Sequence, residues 1–518
     1  MPMVTVSAPI VRADLADPHE VKSMPLHHVR TCSRWGVNPS QTDRAEEGVV
    51  RYGQKWLPDF RIVATSVLAL AVLNGGCRST PVEPLHADMP NAFVGAKQSR
   101  KESPIKAEWW LAFSDRELTE LERLGETGNQ DLRQAEAQIK QAQAGVDLSA
   151  SALLPSISGG GGAARGDKYG FGTVSAGTYG TVSGSWLLDI FGGARAQKRA
   201  SEAQLLAATA RRDDVRLGVL AEIASTYVKL RYSQQRIALA HQTVENRRRN
   251  LALLHEGARA GETTDLQVVQ GEQLVAKAES ELPSLEVEFD TLTDDLASLT
   301  GAPVAQLKSD LLKTAEQPRA RYKIGVGIPA DVVRNRPDVR RAEYTFASAA
   351  EGVGVAEAAF YPSLQLSGYL TPTAVLHSAD VNIWQIGSEL SAPIFDGGKN
   401  KANLAVANDR LDEARAAWQA AVLKGISEVE QALAAYNRDG RNLAAQDKLV
   451  STSQEVLRMG NSGFQLGADT FFSILDAEKE LFEAEKLRAQ ALRDQALHYI
   501  ALCKAAPAPS TVTVAGLP

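Results

Sequence analysis

The sequence predicts a mainly helical protein with a smaller β component, built as an internally duplicated chain. Three observations carry this: a heptad-spaced apolar stripe that recurs, long segments without helix breakers, and four short stretches of alternating polarity. The stripe reads Leu217, Leu220, Ile223, Tyr227, Leu230, Ile237, Val244 and Leu251. Adding 206 to each number gives Leu423, Ile426, Val429, Leu433, Tyr436, Leu443, Val450 and Leu457, again large and apolar throughout. The offset continues from Gly261 to Gly467, from Val269 to Leu475 and from Glu272 to Glu478.

The stripe steps by threes, fours and sevens, the spacing of a coiled-coil seam. No proline interrupts Ala196–Glu256, so one helix is expected there, roughly 90 Å long at ~1.5 Å per residue. Its partner comes after a break at Gly257–Gly261 and spans about Thr264–Leu299. The second pair is expected at Lys401–Arg458 and Thr470–Cys503. Pro283 removes a backbone donor inside the first partner helix and is expected to bend it. The second copy has Ala489 at that offset.

Between the helices the texture changes. Leu154–Gly162 and Thr178–Ile190 read as strands in the first copy, Pro362–Leu370 and Trp384–Phe395 in the second. Leu364, Leu366 and Leu370 alternate with Ser363, Gln365 and Tyr369, a period of two. About ten residues of alternating polarity is the length of a transmembrane β-strand. Two strands per copy cannot close a barrel, and an open edge in lipid leaves backbone groups unpaired. Strands that enter a membrane would therefore need several chains to complete one barrel. A small soluble hairpin pair is the other reading.

Composition narrows the function classes. No apolar run reaches the ~18–20 residues of a membrane-spanning helix, and a net charge of −6 gives no electrostatic case for nucleic acid. Cys32, Cys77 and Cys503 cannot make a disulfide framework. Arg51, Lys55 and Arg61 precede the apolar run Ile62–Leu73, and Gly75, Gly76 and Cys77 come after it. Basic region, short apolar stretch and small-residue exit read as an export signal. The exit resembles a bacterial lipobox, with Asn74 where that pattern usually has leucine. It implies lipidation of Cys77, and Arg78 in place of aspartate favours the outer membrane over inner-membrane retention. The expected organisation is an extension or misassigned start at 1–50, a signal peptide at 51–76 and a lipidated linker at 77–107. Repeat 1 is expected at 108–301, a linker at 302–335, repeat 2 at 336–506 and a disordered tail at 507–518.

Catalytic patterns are not found. His255-Glu256 begins like a zinc-protease helix, but position 259 is Arg. Gly161–Gly166 has P-loop spacing, yet Asp167 stands where Lys is required. His86, His241, His255, His377 and His498 show no metal-ligand spacing. No metal site, no cofactor and no enzymatic activity are expected. On the residues alone, a lipid-anchored periplasmic coiled-coil structural or adaptor protein competes with a channel.

Several segments resemble a known family. Glu108–Asp115, with Leu118 and Leu121, resembles the opening of mature outer-membrane efflux lipoproteins of the NodT type, in the TolC-like family. Leu154–Ser156 and Tyr361–Ser363 are similar to its strand starts, Asp189–Arg195 and Ala392–Asn400 to its strand-to-helix exits. Arg336–Glu343 resembles the signature that opens its second repeat; Pro337 suits a helix start and Asp338 the positive helix end. The resemblance implies a homotrimer with a twelve-stranded outer-membrane β-barrel, four strands from each chain, above a periplasmic α-barrel. It implies the exit duct of a tripartite efflux pump, with a periplasmic adaptor and an inner-membrane RND-type transporter as partners. It places adaptor-docking tips at Gly257, Gly261 and Thr263 and at Gly467, Asp469 and Thr470. Glycine permits the turns, while Thr263 and Thr470 would cap the next helices. Ile474–Glu478 is similar to the segment whose aspartate narrows the closed channel, which makes Asp476 the expected periplasmic gate. Ser473 stands where some relatives have a second aspartate, and Gln270 is the first-copy equivalent of Asp476.

Overall fold

The computed structural model describes residues 85–86, 89–94, 103–167, 174–313, 315–321, 324–325, 329–375, 380–466 and 470–508. The expected signal, linker start and Cys77 lie outside these residues. In chain order the elements are β1 (Ser103–Pro104), a tight helical turn at Trp109–Phe113, α1 (Arg116–Gly128) and α2 (Gln130–Ser151). Then come β2 (Ser156–Asp167), β3 (Val174–Leu188), α3 (Gly193–Ala260) and α4 (Asp265–Thr300). The second series begins with α5 (Val304–Leu311), β4 (Ile324–Gly325), α6 (Pro329–Asn335) and α7 (Pro337–Ala358). It ends with β5 (Ser363–Val375), β6 (Val381–Ser391), α8 (Lys399–Gln465) and α9 (Phe471–Ala505). The four long helices and four long strands expected from the sequence are all present. Helix α4 runs continuously through Pro283.

The duplication is visible in matched joints. Asn129 caps α2, its side-chain oxygen accepting from the Asp131 and Leu132 amides at 2.9 and 3.1 Å. Its amide nitrogen also donates to the Leu299 carbonyl, at the end of α4, at 2.8 Å. Arg336 stands at the same place before α7 and donates to the Ala505 carbonyl, at the end of α9, at 2.9 Å. Asn129 to Arg336 is a step of 207 residues and Leu299 to Ala505 one of 206. Two different side chains therefore make one tether, from the start of the short helix to the end of the hairpin helix. Arg336 is nearly buried and also pairs with Asp338 at 2.8 Å and Glu428 of α8 at 2.6 Å. Gly425 makes room for it: a Cβ there would lie 3.0 Å from the Arg336 side chain.

The helices pack side by side. Helices α2 and α4 lie against one flank of α3, α7 and α9 against its other flank, and α8 packs on α7 and α9. Because α3 is flanked on both sides, its stripe is covered: Leu220, Ile223, Tyr227 and Leu230 are buried. The equivalent stripe on α8 is half covered, and Leu423 is 65 % exposed. The same asymmetry separates Leu475, buried, from its counterpart Val269, exposed. Helix α9 sits between α8 and α3, whereas α4 has α3 alone among the long helices.

The Trp109–Phe113 turn closes the central core, with Phe113 edge-on to Tyr499 of α9 at 5.3 Å. Asp115 caps α1 through the Glu117 and Leu118 amides and accepts from the Tyr227 hydroxyl at 2.8 Å. Arg231, fully buried, donates to Tyr227 Oη at 3.0 Å, to Gln234 at 2.7 Å and to the Lys313 carbonyl at 2.8 Å, and pairs with Glu117. A buried charge persists only when paired and hydrogen-bonded in this way.

Glu122 of α1 is the exception. It is fully buried, and neither carboxylate oxygen has a partner. Burial, reinforced by Glu126 and opposed by Arg216, pushes its carboxyl up from 4.5 to about 9. The folded state holds a proton that the unfolded chain releases at lower pH. Stability from this group is therefore full below about 4.5 and declines as pH rises to about 9. Denaturant titrations in detergent, followed by Trp109 and Trp110 fluorescence, should show this decline in the native protein and a flatter profile in Glu122→Gln. Equal pH slopes would count against a buried neutral acid.

Candidate functional site

The four long strands form one antiparallel sheet in the order β2-β3-β5-β6. Its register pairs Ile157 with Gly184, Val182 with Leu370 and Trp186 with Leu366. It continues with Leu370 opposite Trp384 and Leu364 opposite Leu390. Because side chains alternate between faces, these residues and Ile386 share one face. That face is open, with Ile386 83 % exposed.

The other face is hydroxylated. Ser156 pairs with Ser185 and Ser158 with Ser183, each at 2.8 Å, and Thr181 with Thr371 at 3.0 Å. Tyr179 lies over Gly162 there, where a Cβ would fall 2.8 Å from its hydroxyl oxygen. One face suits hydrocarbon and the other water. Among the described residues, no strand pairs with the outer edges of β2 and β6.

The sheet passes into the long helices at two matched exits. The Asp189 carboxylate accepts from the Ala194 and Arg195 amides at 3.1 and 2.9 Å. Asp396 accepts from the Gly398 and Asn400 amides, both at 2.9 Å. Gly192 and Gly398 precede the helices with φ of +83° and +90°, a backbone region that favours glycine.

At the far ends of the long helices lie the expected docking tips. Helix α3 continues through Gly257 to Ala260, so the break falls at Gly261–Thr264, later than expected. Gly261 takes φ +77°. The capping expectation for Thr263 is corrected. Thr264 caps α4, in a reciprocal box with Gln267, while the Thr263 hydroxyl turns back to the Leu254 carbonyl at 2.9 Å. The Thr-x-x-Gln spacing carries that signal in the sequence. Gly257 is needed for close approach: a Cβ there would lie 3.0 Å from Thr263. At the second tip, Thr470 caps α9 by accepting from the Ser473 amide at 3.3 Å. Gly467 and Asp469 lie outside the described residues.

Asp476 sits on the first turns of α9, exposed beside buried Leu475 and Ala477. Its side chain points away from its own chain's packing. Two residues on, Glu478 crosses to α3, accepting from Asn250 at 2.7 Å with Arg247 at 3.7 Å. Burial raises the Glu478 carboxyl, and the Asn250 bond and Arg247 work against that rise. This link between the two hairpins was not legible in the sequence, where the partners stand 228 residues apart. Among the described residues no three metal-ligating side chains cluster, and no helix is long and apolar enough to cross a membrane.

The family model "Outer membrane efflux protein" matches residues 126–302 and again 328–506. Nodulation protein T of Rhizobium leguminosarum bv. trifolii is 34% identical over 446 residues, covering 83% of this chain and 94% of that protein. The pyoverdine export outer membrane protein OpmQ of Pseudomonas aeruginosa is 29% identical, covering 82% and 92%. The solved structure of the outer-membrane channel OprN superposes with a TM-score of 0.76 at 27% identity, over 82% of this chain and 98% of that one.

The tip geometry makes a direct prediction. Gly261→Ala places a Cβ at positive φ, which costs about 1–2 kcal/mol. Amide exchange over residues 257–267 should accelerate roughly 5–30-fold, with the β-sheet amides unchanged. Unaltered tip exchange would contradict the assigned turn.

Proposed function

We propose that this chain, which belongs to the outer membrane efflux protein family, works as one third of a homotrimeric exit duct. The family is one of transport channels in the outer membrane, not of enzymes. One observation carries the trimeric reading: a sheet with an apolar face, a hydroxyl-lined face and two unpaired edges. Such a sheet is a sector of a barrel, since only closure removes edges in lipid. Three copies supply twelve strands, within the range of outer-membrane barrels. The apolar face meets lipid, the hydroxyl face lines the pore, and the helices continue the duct into the periplasm.

The tips at Gly257, Gly261 and Thr263, and at Gly467, Asp469 and Thr470, dock a periplasmic adaptor that joins the duct to an inner-membrane RND-type transporter. Lipid on Cys77 anchors each chain. The cargo is small molecules, a reading supported by the relative named for pyoverdine export. At the mouth, three copies of Asp476 converge on the axis. Their exposed, unshared carboxylates repel one another and attract cations, so the ring acts both as constriction and as cation site.

Planar-bilayer recordings test the duct. Asp476→Ala should assemble normally, conduct more per channel and be blocked less by divalent cations. Unchanged conductance and block would remove Asp476 from the constriction, and the lack of any conductance in the native protein would overturn the channel. Separately, Cys77→Ser should abolish metabolic labelling by fatty acid while a trimer still forms when the chain is exported by another signal. A folded but monomeric variant would show that the anchor holds the assembly together.

A further inference from the structure

The ion pairs of the two long hairpins do not match. In the first copy Arg248 of α3 donates from Nε and Nη2 to the Glu279 carboxylate of α4, at 3.1 and 2.6 Å. Adding 206 to each number gives Gln454 of α8 and Glu485 of α9. The acid is kept, and an amide stands where its cation was. Glu485 is half-buried; burial raises its carboxyl, and Arg488 works against that rise. Arg488 is itself engaged by Asp447 of α8 at 2.6 Å. Among the described residues Glu485 has no hydrogen bond or ion pair of its own.

Gln454 and Glu485 line one cavity of about 690 Å³, within the roughly 300–1,000 Å³ of small-molecule sites. It lies where α3, α8 and α9 meet the segment 315–321, which leads from α5 toward β4. That segment is pinned near both ends. The Arg321 amide donates to the Ala112 carbonyl at 3.0 Å, and Arg231 holds the Lys313 carbonyl at 2.8 Å. Gln317, carried on it, lines the cavity with both polar atoms of its amide shut off from solvent and unpartnered in the chain. Leaving such groups unpaired costs about 1–3 kcal/mol each. Gln242 of α3 adds another amide, and Leu239, Val450 and Leu492 supply apolar surface. The repeat does not impose this lining: the equivalent of Gln242 is Lys448, as that of Gln454 is Arg248.

We propose that this cavity binds a small polyamine, one ammonium seated on Glu485 where the first copy seats the Arg248 guanidinium on Glu279. A half-buried carboxylate without a cation favours a positive ligand and disfavours an anion. Amide oxygens of Gln242, Gln317 and Gln454 accept from the further ammonium groups, and Leu239, Val450 and Leu492 take the methylenes that separate them. Glu316 of the pinned segment also lines the cavity and accepts at its rim; Arg319 opposes it there, but both are exposed and screened by solvent. A bound polyamine joins α8 and α9 to α3 and to the segment between the copies. It restores across that hairpin the link that the chain itself supplies, through Arg248, in the first.

Calorimetric titration of the full-length protein in detergent with spermidine tests this. Binding should persist in excess magnesium, which competes away general attraction to a chain of net charge −6. Glu485→Gln should weaken it roughly tenfold or more, the loss of one hydrogen bond to a charged group. Gln454→Arg should abolish it, because the guanidinium takes the seat on Glu485 as Arg248 does on Glu279. The first substitution keeps the side chain's shape and the second falls on an exposed position, so both variants should fold as the native chain does. Asp476→Ala should bind spermidine with native affinity. No binding to the native protein in magnesium, or an affinity that neither Glu485→Gln nor Gln454→Arg alters, would overturn the site. Binding lost in Asp476→Ala and kept in Glu485→Gln would place the amine at the mouth and overturn it equally.

Discussion

A β-strand edge in hydrocarbon has no water to satisfy its amides and carbonyls, and each orphaned group costs several kcal/mol. Among the described residues the sheet of this protein ends on two edges, β2 and β6, and the proposed assembly answers the need to pair them. A sheet of that kind needs its two halves to leave it in the same way. Both hairpins accordingly leave the sheet through the same device, an aspartate gathering helix amides ahead of a positive-φ glycine. The long helices inherit their direction from those exits, and their far ends set where the mouth lies.

The two halves share a plan and divide its labour. Tethers from Asn129 to Leu299 and from Arg336 to Ala505 fix each short helix to the end of its hairpin. The first half adds the Arg231 network and the tryptophan turn and so becomes the centre of the core. At the corresponding places the second half has Leu433 and Asn437 in place of Tyr227 and Arg231. Its long helix is instead left open along one side, with Leu423 uncovered. The Arg231 network belongs to the first copy and the uncovered flank of the long helix to the second. Breaking a buried charged network costs about 3–5 kcal/mol, so the centre tolerates change less well than the flank.

Much of this was legible in the residues. The apolar stripe, its recurrence and the breaks after it located all four long helices, with the end of α8 set seven residues short at Arg458, because periodicity over many turns averages out local noise. The alternation of Leu364, Leu366 and Leu370 with polar neighbours marked a strand for the same reason. Less legible were features set by single contacts. The first tip was placed too early because Gly257 read as a turn residue, whereas its small size serves the close passage of Thr263. Val269 and its twin Leu475 stand at the same offset, yet only Leu475 is buried, because a repeat predicts equivalent positions and not equivalent neighbours. The Asn250–Glu478 link joins residues that no local pattern connects. No pattern in the sequence singles out Glu122, and only its surroundings make it neutral.

The two copies are out of step by a single residue. Six residues, 168–173, join β2 to β3, and five, 376–380, join β5 to β6. That is where the displacement changes from 207 to 206. Inside a strand, one residue more or less would exchange the faces beyond it, turning Trp384, Ile386 and Leu390 inward and the hydroxyls outward. Inside a long helix it would rotate everything downstream by about 100°. The connections between paired strands are thus where a residue can be gained or lost without exchanging the faces of a strand or rotating a long helix.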